Sequence, residues 1–313
     1  MNAVSGVLLL DKPVGLTSHD VVNRVRKKLG IRRVGHAGTL DPDATGVLVV
    51  CIGEATRLIE FMTAEDKEYE GVVHFWVGTN TDDASGQPIA KANAAHLTLQ
   101  EVDTAAKSFI GQQKQRVPLY SAVHIGGKRA YEYARQEQVV ELPIKDIHIY
   151  SLEVLSFQQG EVSEAKFRTA CSKGTYIRAL CRDWGEKIGL PAHLSQLRRT
   201  QSGAFSISET TPLEVFEASD TPLQYIRSAV AGVQELTKTA LPLSVVERLA
   251  SGQSVPVTDV AVDLNEDELK LDEIFAVLTL EGSLAAIVQV KRHRNIPELL
   301  VLKPKKVFWK REP

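Results

Sequence analysis

The chain has 313 residues, 43% of them hydrophobic, and a formal net charge of −2. That is enough for a sizeable core and about two domains at ~100–200 residues each. No apolar run approaches the ~18 residues of a membrane helix, and the N-terminus has no basic segment ahead of its short apolar run, so no secretory signal is expected. Three cysteines without CxxC spacing (Cys51, Cys171, Cys181) argue against a disulfide framework or zinc site and fit a reducing cytoplasm.

In chain order, residues 6–10 (GVLLL) read as a buried strand, and Lys12-Pro13-Val14-Gly15 as a turn. Thr17 and Asp20 have capping-box spacing, and Val21, Val22, Val25 and Leu29 recur at helical intervals. Residues 35–46 (GHAGTLDPDATG) are a loop rich in Gly, Pro and Asp, followed by the strand-like VLVVCI. Residues 69–77 form another strand. A helix is predicted over 98–110, with a second capping box at Thr98 and Glu101 and an apolar face of Leu99, Val102, Ala106 and Phe109. The polar stretch 118–150, with Tyr120, Tyr131 and Tyr133, reads as a loop with a short helix. Residues 167–170 end a strand, and a helix over 175–188 turns Ile177, Leu180, Trp184 and Ile188 to the core.

Beyond a boundary near residue 240 the pattern changes. A short helix over 241–250 precedes β-rich runs at 275–280 and 285–290 around the hairpin signal Glu281-Gly282-Ser283. A strand pair broken at Pro304 follows over 299–308. Residues 1–240 thus form one domain and 241–313 a small β-domain. Charge is segregated: residues 24–33 carry six basic side chains and no acidic one, while 166–199 and 291–312 each carry eight basic against two acidic. Acid is concentrated in residues 259–273. Segregation of this kind can track a phosphate backbone, although each run taken alone is equally a solvated face.

The densest chemical signal is the loop 35–46. Pro42 pushes Asp41 toward an extended backbone, and its glycines allow another molecule's backbone to approach closely. A carboxylate displayed this way suits nucleophilic or base chemistry. From spacing alone Asp41 reads first as an Asp-Pro turn residue bonded to its own backbone.

GHAGTLDPDATG closely resembles the catalytic loop of the TruB-type tRNA pseudouridine synthases, GHxGTLDPxATG. Further matches follow in the family's order: KPVGLTS at 12–18, Lys67-Glu68-Tyr69, YSA at 120–122 with GKRAYEYAR at 127–135, CSKGTYIR at 171–178, and LRRT at 197–200. The resemblance covers residues 5–205, and the tail is similar in pattern to the family's C-terminal PUA-like domain. Two positions depart from it. Asp43 stands where the family has an apolar or small residue, and a nearby like charge raises a carboxylate pKa. Val117-Pro118-Leu119-Tyr120 replaces V-P-P-x-Y.

The resemblance implies a mixed α/β (α+β) catalytic domain on a large, mostly antiparallel sheet, an RNA-binding insertion at about 118–150, and a PUA-like RNA-binding domain at 241–313. It implies isomerisation of uridine to pseudouridine at position 55, in the T stem-loop of tRNA, without redox cofactor, nucleotide or metal. Asp41 takes the family's catalytic role, as nucleophile at C1′ or base at C2′. Arg178 is the arginine that holds the carboxylate charged and directed, its place beside Ile177 letting it point away from the core. The target base must be flipped out of its stack. Tyr69 offers an aromatic face and a hydroxyl suited to removing the C5 proton. His36 fills the gap left by the base, Leu197 walls the uracil, Lys12 and Pro13 brace the loop, and Lys128 and Arg129 belong to the RNA-binding insertion. A monomer without membrane attachment is expected.

Other enzyme classes fit poorly. A cysteine phosphatase loop needs five residues between Cys and Arg, and Cys171 and Arg178 are separated by six. His36, Asp41 and Asp43 include one histidine only, which is thin for a metal site, and GxxxxGK[ST] is missing. The alternative from another class is a non-catalytic RNA-binding or tRNA-folding protein. Against it stands the combination of Asp41, Tyr69 and Arg178, since a pure binder gains nothing from a carboxylate facing phosphates.

Overall fold

The computed structural model describes residues 4–136, 138–260 and 269–310. The chain opens with β1 (Gly6–Lys12), α1 (Ser18–Leu29), β2 (Val34–Ala37), β3 (Thr45–Ile52) and, after a 3₁₀ turn at Gly53–Leu58, α2 (Ile59–Thr63). Next come β4 (Lys67–Phe75), β5 (Val77–Thr79), β6 (Pro88–Lys91), α3 (Leu99–Lys107) and β7 (Gly111–Arg116). A small hairpin of β8 (His124–Ile125) and β9 (Lys128–Arg129) runs into α4 (Ala130–Arg135). Two long strands, β10 (Ile144–Gln158) and β11 (Ser163–Cys171), lead to α5 (Ile177–Ile188) and β12 (Ala192–Ser202). Short pieces follow: β13 (Phe205–Ser206), β14 (Thr211–Pro212), α6 (Leu213–Ala218) and β15 (Ile226–Arg227). The tail holds β16 (Thr237–Leu241), α7 (Leu243–Ala250), β17 (Val255–Pro256), β18 (Ile274–Thr279), β19 (Leu284–Arg292) and β20 (Leu300–Val307).

One large sheet runs β14-β1-β3-β12-β4-β11-β10-β7. Only β1 with β14 and β3 with β12 pair in parallel, so it is mostly antiparallel. β1 and β3 are continuous apolar runs because both of their faces are covered. Leu8, Leu10, Leu48 and Val50 pack on Val21, Val22 and Val25 of α1. Val7, Leu9, Val47, Val49 and Cys51 face the other way, toward Leu58 and Met62. β4 and β11 instead alternate buried and half-exposed residues, as strands with one buried face do. Their inner side chains pack under α3 and α5, where Trp184 meets Phe75 and Phe167 edge-on at 5.7 and 5.8 Å. The Trp184 indole also donates to the Val102 carbonyl.

The tail sheet, ordered β16-β18-β19-β20-β17, is docked on the body. Ala276, Leu284 and Ile287 share one core with Leu58 and Met62. Around that contact, Arg57 donates to the Val307 carbonyl and Lys306 pairs with Glu60 at 2.7 Å.

Several boundaries differ from expectation. Residues 35–37 are strand rather than loop, because His36 and Ala37 pair with Val50 and Val49 of β3. The insertion stops at β10, since residues 144–149 pair with β7 inside the main sheet. The tail sheet starts at Thr237 rather than near 240, with β16 parallel to β18. α7 starts at Leu243, after Pro242. Leu99 is 52% exposed, since it opens α3 and lies outside the turn where Val102 and Ala106 are buried. Pro304 does not break β20. The ladder steps past it with a bulge opposite Ile287 and Val288, and β17 covers only Val301 and Leu302, leaving proline on an open edge. Of the acidic stretch 259–273, residues 261–268 lie outside the described residues.

Candidate active site

Residues 38–44 carry Asp41 between β2 and β3, and every backbone carbonyl from Gly38 to Pro42 has a donor. Arg199 donates to Gly38 O at 3.1 Å and Thr39 O at 3.5 Å. Ser18 donates to Leu40 O and accepts from Leu40 N. Ala44 N closes a turn on Asp41 O. Pro42 O accepts from Gly15 N at 2.9 Å and from the Lys12 ammonium at 3.0 Å. Lys12 is fully buried and also donates to Pro13 O and Leu16 O, so its three protons are all committed to backbone. Burial lowers its pKa to about 8, against the pull of Asp43 and Asp41. The loop is therefore a fixed platform rather than a floppy one.

Glycine has two uses here. Gly46 has φ +103°, and a Cβ on it would lie 2.2 Å from Arg199 O of the neighbouring strand. Gly38 has φ +93°, and a Cβ there would meet the Arg199 guanidinium at 3.3 Å. The approaching group is thus this chain's own β12, not another molecule's backbone.

From that platform the Asp41 carboxylate, 44% exposed, reaches Arg178 Nε at 2.9 Å. The Arg178 side chain is only 7% exposed. Its other nitrogens donate to Thr81 O at 2.9 Å and Tyr120 O at 3.0 Å, so its position does not depend on Asp41. Arg178 does sit in the first turn of α5, away from Trp184 and Leu180, but it is covered by the loops over the helix end rather than by solvent. Asp83 shares the same guanidinium, with Oδ2 3.5 Å from Arg178 Nε. The other Asp83 oxygen accepts from the hydroxyls of Thr81 and Ser85 at 2.7 and 2.6 Å.

Two adjoining clefts of ≈ 560 and ≈ 440 Å³ share Asp41, Tyr120, Tyr131, Arg178 and Leu197. The smaller also reaches Tyr69, Lys67 and Arg199 on the sheet floor. Tyr69 is buried, and that burial raises its pKa while the Arg199 charge acts to lower it. Leu197 is half-buried two residues before Arg199. Tyr120 and Tyr131 close the cleft from the insertion.

Other expected residues lie apart. His36 on β2 does not line either cleft. It is half-buried, and burial lowers its pKa, favouring the neutral ring. Its Nδ1 is buried without a hydrogen-bond partner among the described residues. Lys128 is exposed, 5.8 Å from the Tyr133 ring centre, and Arg129 donates to Ala122 O at 2.8 Å. Asp43, by contrast, is exposed and lines the larger cleft beside Asp41.

Asp83, Thr81 and Arg199 were not foreseen as site residues. Thr81-Asp82-Asp83 lies in a polar turn whose sequence signals only a turn. Arg199 sits in a recognised motif, but its buried role depends on a strand pairing with Gly46, 153 residues away in chain order, and is invisible locally. Cys171, which opens another motif, is buried, and burial pushes its thiol up to about 12.

Comparison with known proteins gives a consistent result. Residues 26–177 match the family described as "TruB family pseudouridylate synthase (N terminal domain)", and residues 178–238 match "tRNA pseudouridylate synthase B C-terminal domain". The chain is 46% identical to tRNA pseudouridine synthase B of Geobacillus thermodenitrificans over 68% of this chain and 72% of the relative. It is 38% identical to that of Oceanobacillus iheyensis over 91% of this chain and 92% of the relative. Among solved structures, a Cbf5-Nop10-Gar1 complex matches with TM-score 0.74 and 28% identity over 97% of this chain and 85% of that one. An H/ACA RNP bound to a substrate RNA containing 2′-deoxyuridine matches with TM-score 0.74 and 25% identity over 98% and 86%.

Proposed function

The chain belongs to the TruB family of tRNA pseudouridine synthases, and on that premise we propose that it isomerises uridine 55 in the T stem-loop of tRNA with Asp41 as catalytic carboxylate. The observation that carries the reading is the Asp41–Arg178 pair. A half-exposed carboxylate facing a cleft is held at 2.9 Å by a guanidinium that backbone carbonyls have already fixed. A charge-assisted pair of this kind fixes the direction of the carboxylate.

In the reaction the N1–C1′ bond of uridine breaks, the base turns within the cleft, and a C5–C1′ bond forms. The proton on C5 is lost and N1 gains one, so atoms balance without an external reagent. Asp41 acts at the ribose, as nucleophile on C1′ or as base at C2′. Tyr69 supplies the aromatic face against which the flipped base rests, with its hydroxyl toward the C5 proton. Leu197 forms the apolar wall. His36 occupies the space the base vacates in the RNA, which fits its position outside the cleft. Lys128 and Arg129, on the β8–β9 hairpin of the insertion, bind RNA phosphates, and Lys12 braces the loop. Residues 1–240 act as the catalytic domain and 241–313 as a PUA-like RNA-binding domain. We further propose a monomer, and a cytoplasmic location that fits three free, buried cysteines.

The test is pseudouridine formation in an unmodified tRNA transcript by wild type and Asp41→Asn, with binding measured in parallel. Asp41→Asn should bind tRNA within a fewfold of wild type and make no detectable pseudouridine. A wild type that binds but modifies no tRNA would return the protein to the class of RNA-folding factors.

A further inference from the structure

We propose that Arg199 is a positioning residue that ties the Tyr69 phenol to the Asp41 loop, so that the groups meeting the flipped base and its ribose are held as one unit. This rests on the roles given above to Tyr69 and Asp41. Strand register places Arg199 directly opposite Tyr69 on β4 and, on its other side, opposite Gly46 at the end of the Asp41 loop. Cross-strand partners share a face, with Cβ atoms ~4.5–5.5 Å apart. The guanidinium is 1% exposed and donates to Gly38 O, Thr39 O and Val47 O, the last at 2.8 Å. Tyr69 lines the smaller cleft together with Arg199, whose charge acts on the phenol.

Two features go beyond a structural strut. Among the described residues no carboxylate lies within ion-pairing distance of Arg199, yet it is buried. Burying a cation without a counter-ion is costly, and bracing carbonyls alone would not require a charge. Second, a guanidinium has donors only, so a phenol oxygen tied to it can act only as the acceptor. Tied in this way, the phenol keeps its proton turned away from Arg199 and its polar end fixed. Lysine in this place would keep the charge but could not span acceptors on the loop, β3 and Tyr69 together.

Single-turnover pseudouridine formation and tRNA binding would be measured for wild type, Tyr69→Phe, Arg199→Lys and the double variant. Arg199→Lys should slow the chemical step about tenfold with little change in Kd, and should slow it less than about twofold in the Tyr69→Phe background. Multiplicative losses in the double variant would overturn the coupling while leaving the role of Tyr69 intact. A Tyr69→Phe enzyme as fast as wild type would defeat that role itself, and the coupling with it. Should Arg199→Lys fail to fold, hydrogen exchange on Tyr69→Phe decides: exchange at the amides of residues 38–40 should rise above wild type. Unchanged protection there would overturn the proposal.

Discussion

Glu65 shows how a single side chain can set a pH dependence. It precedes β4 beside Gly203, where a Cβ would collide with its carboxylate. Burial raises its pKa from 4.5 to about 7, with Lys67 opposing and Glu235 adding to the shift. The folded state then holds a proton that the unfolded state releases between those values. A carboxyl raised in this way contributes stability that is fully present below pH 4.5 and lost as pH rises through about 7. Glu65→Gln should therefore melt higher than wild type at pH 8, and the gap should close toward pH 4.5. A gap unchanged across that window would mean that Glu65 does not titrate as its burial dictates. Asp41 illustrates the opposite use of environment: its neighbours fix where a charge points while leaving half the carboxylate open to a ligand.

At the scale of elements, the active loop is held by four different pieces of chain: β1 through Lys12, α1 through Ser18, β12 through Arg199, and α5 through Arg178. Its proposal as the chemical centre rests on Gly, Pro and Asp in one short run and on the family resemblance. Its rigidity was not, because the donors come from residues 12, 18, 178 and 199. Gly46 links the two levels. Its positive φ and the close passage of Arg199 O both exclude a side chain. Gly46→Ala should pry β3 from β12, lowering the melting temperature by several degrees and reducing the rate of modification more than tRNA affinity. A variant with wild-type stability would show that β12 can shift to make room.

At the scale of the whole molecule, the tail is not an appendage on a linker. Ile287 is buried in the core that contains Leu58 and Met62 of the body. Ile287→Ala should cost about 2–5 kcal/mol and should lower one shared unfolding transition. Two separated transitions in the wild type would contradict this coupling. Basic residues 24–33 and the tail stretch from residue 291 are taken as tRNA contacts, so affinity should fall steeply with salt. The pairs Arg24–Glu217 and Arg33–Glu54 already occupy part of the first run. A flat response between low and physiological salt would remove both runs from the RNA interface.

Taken alone, the sequence determined most of the elements and pointed to the residues proposed to carry the chemistry. Capping boxes at Thr17 and Thr98 started helices where they were read, the apolar runs of β1 and β3 marked strands, and the strand read over 69–77 falls on β4 and the start of β5. These signals are local, so one stretch of chain suffices to read them. The motifs likewise named Asp41, Tyr69 and Arg178. Tertiary structure alone decided which of the remaining polar residues stand with them. Asp83 and Arg199 joined the site and His36 lay outside the cleft because strand register and loop packing, not sequence spacing, determine which side chains share a cavity. The same long-range pairing carried β20 through Pro304 and ended the insertion at Ile144, since an edge position or a ladder partner cannot be read from neighbours in the chain.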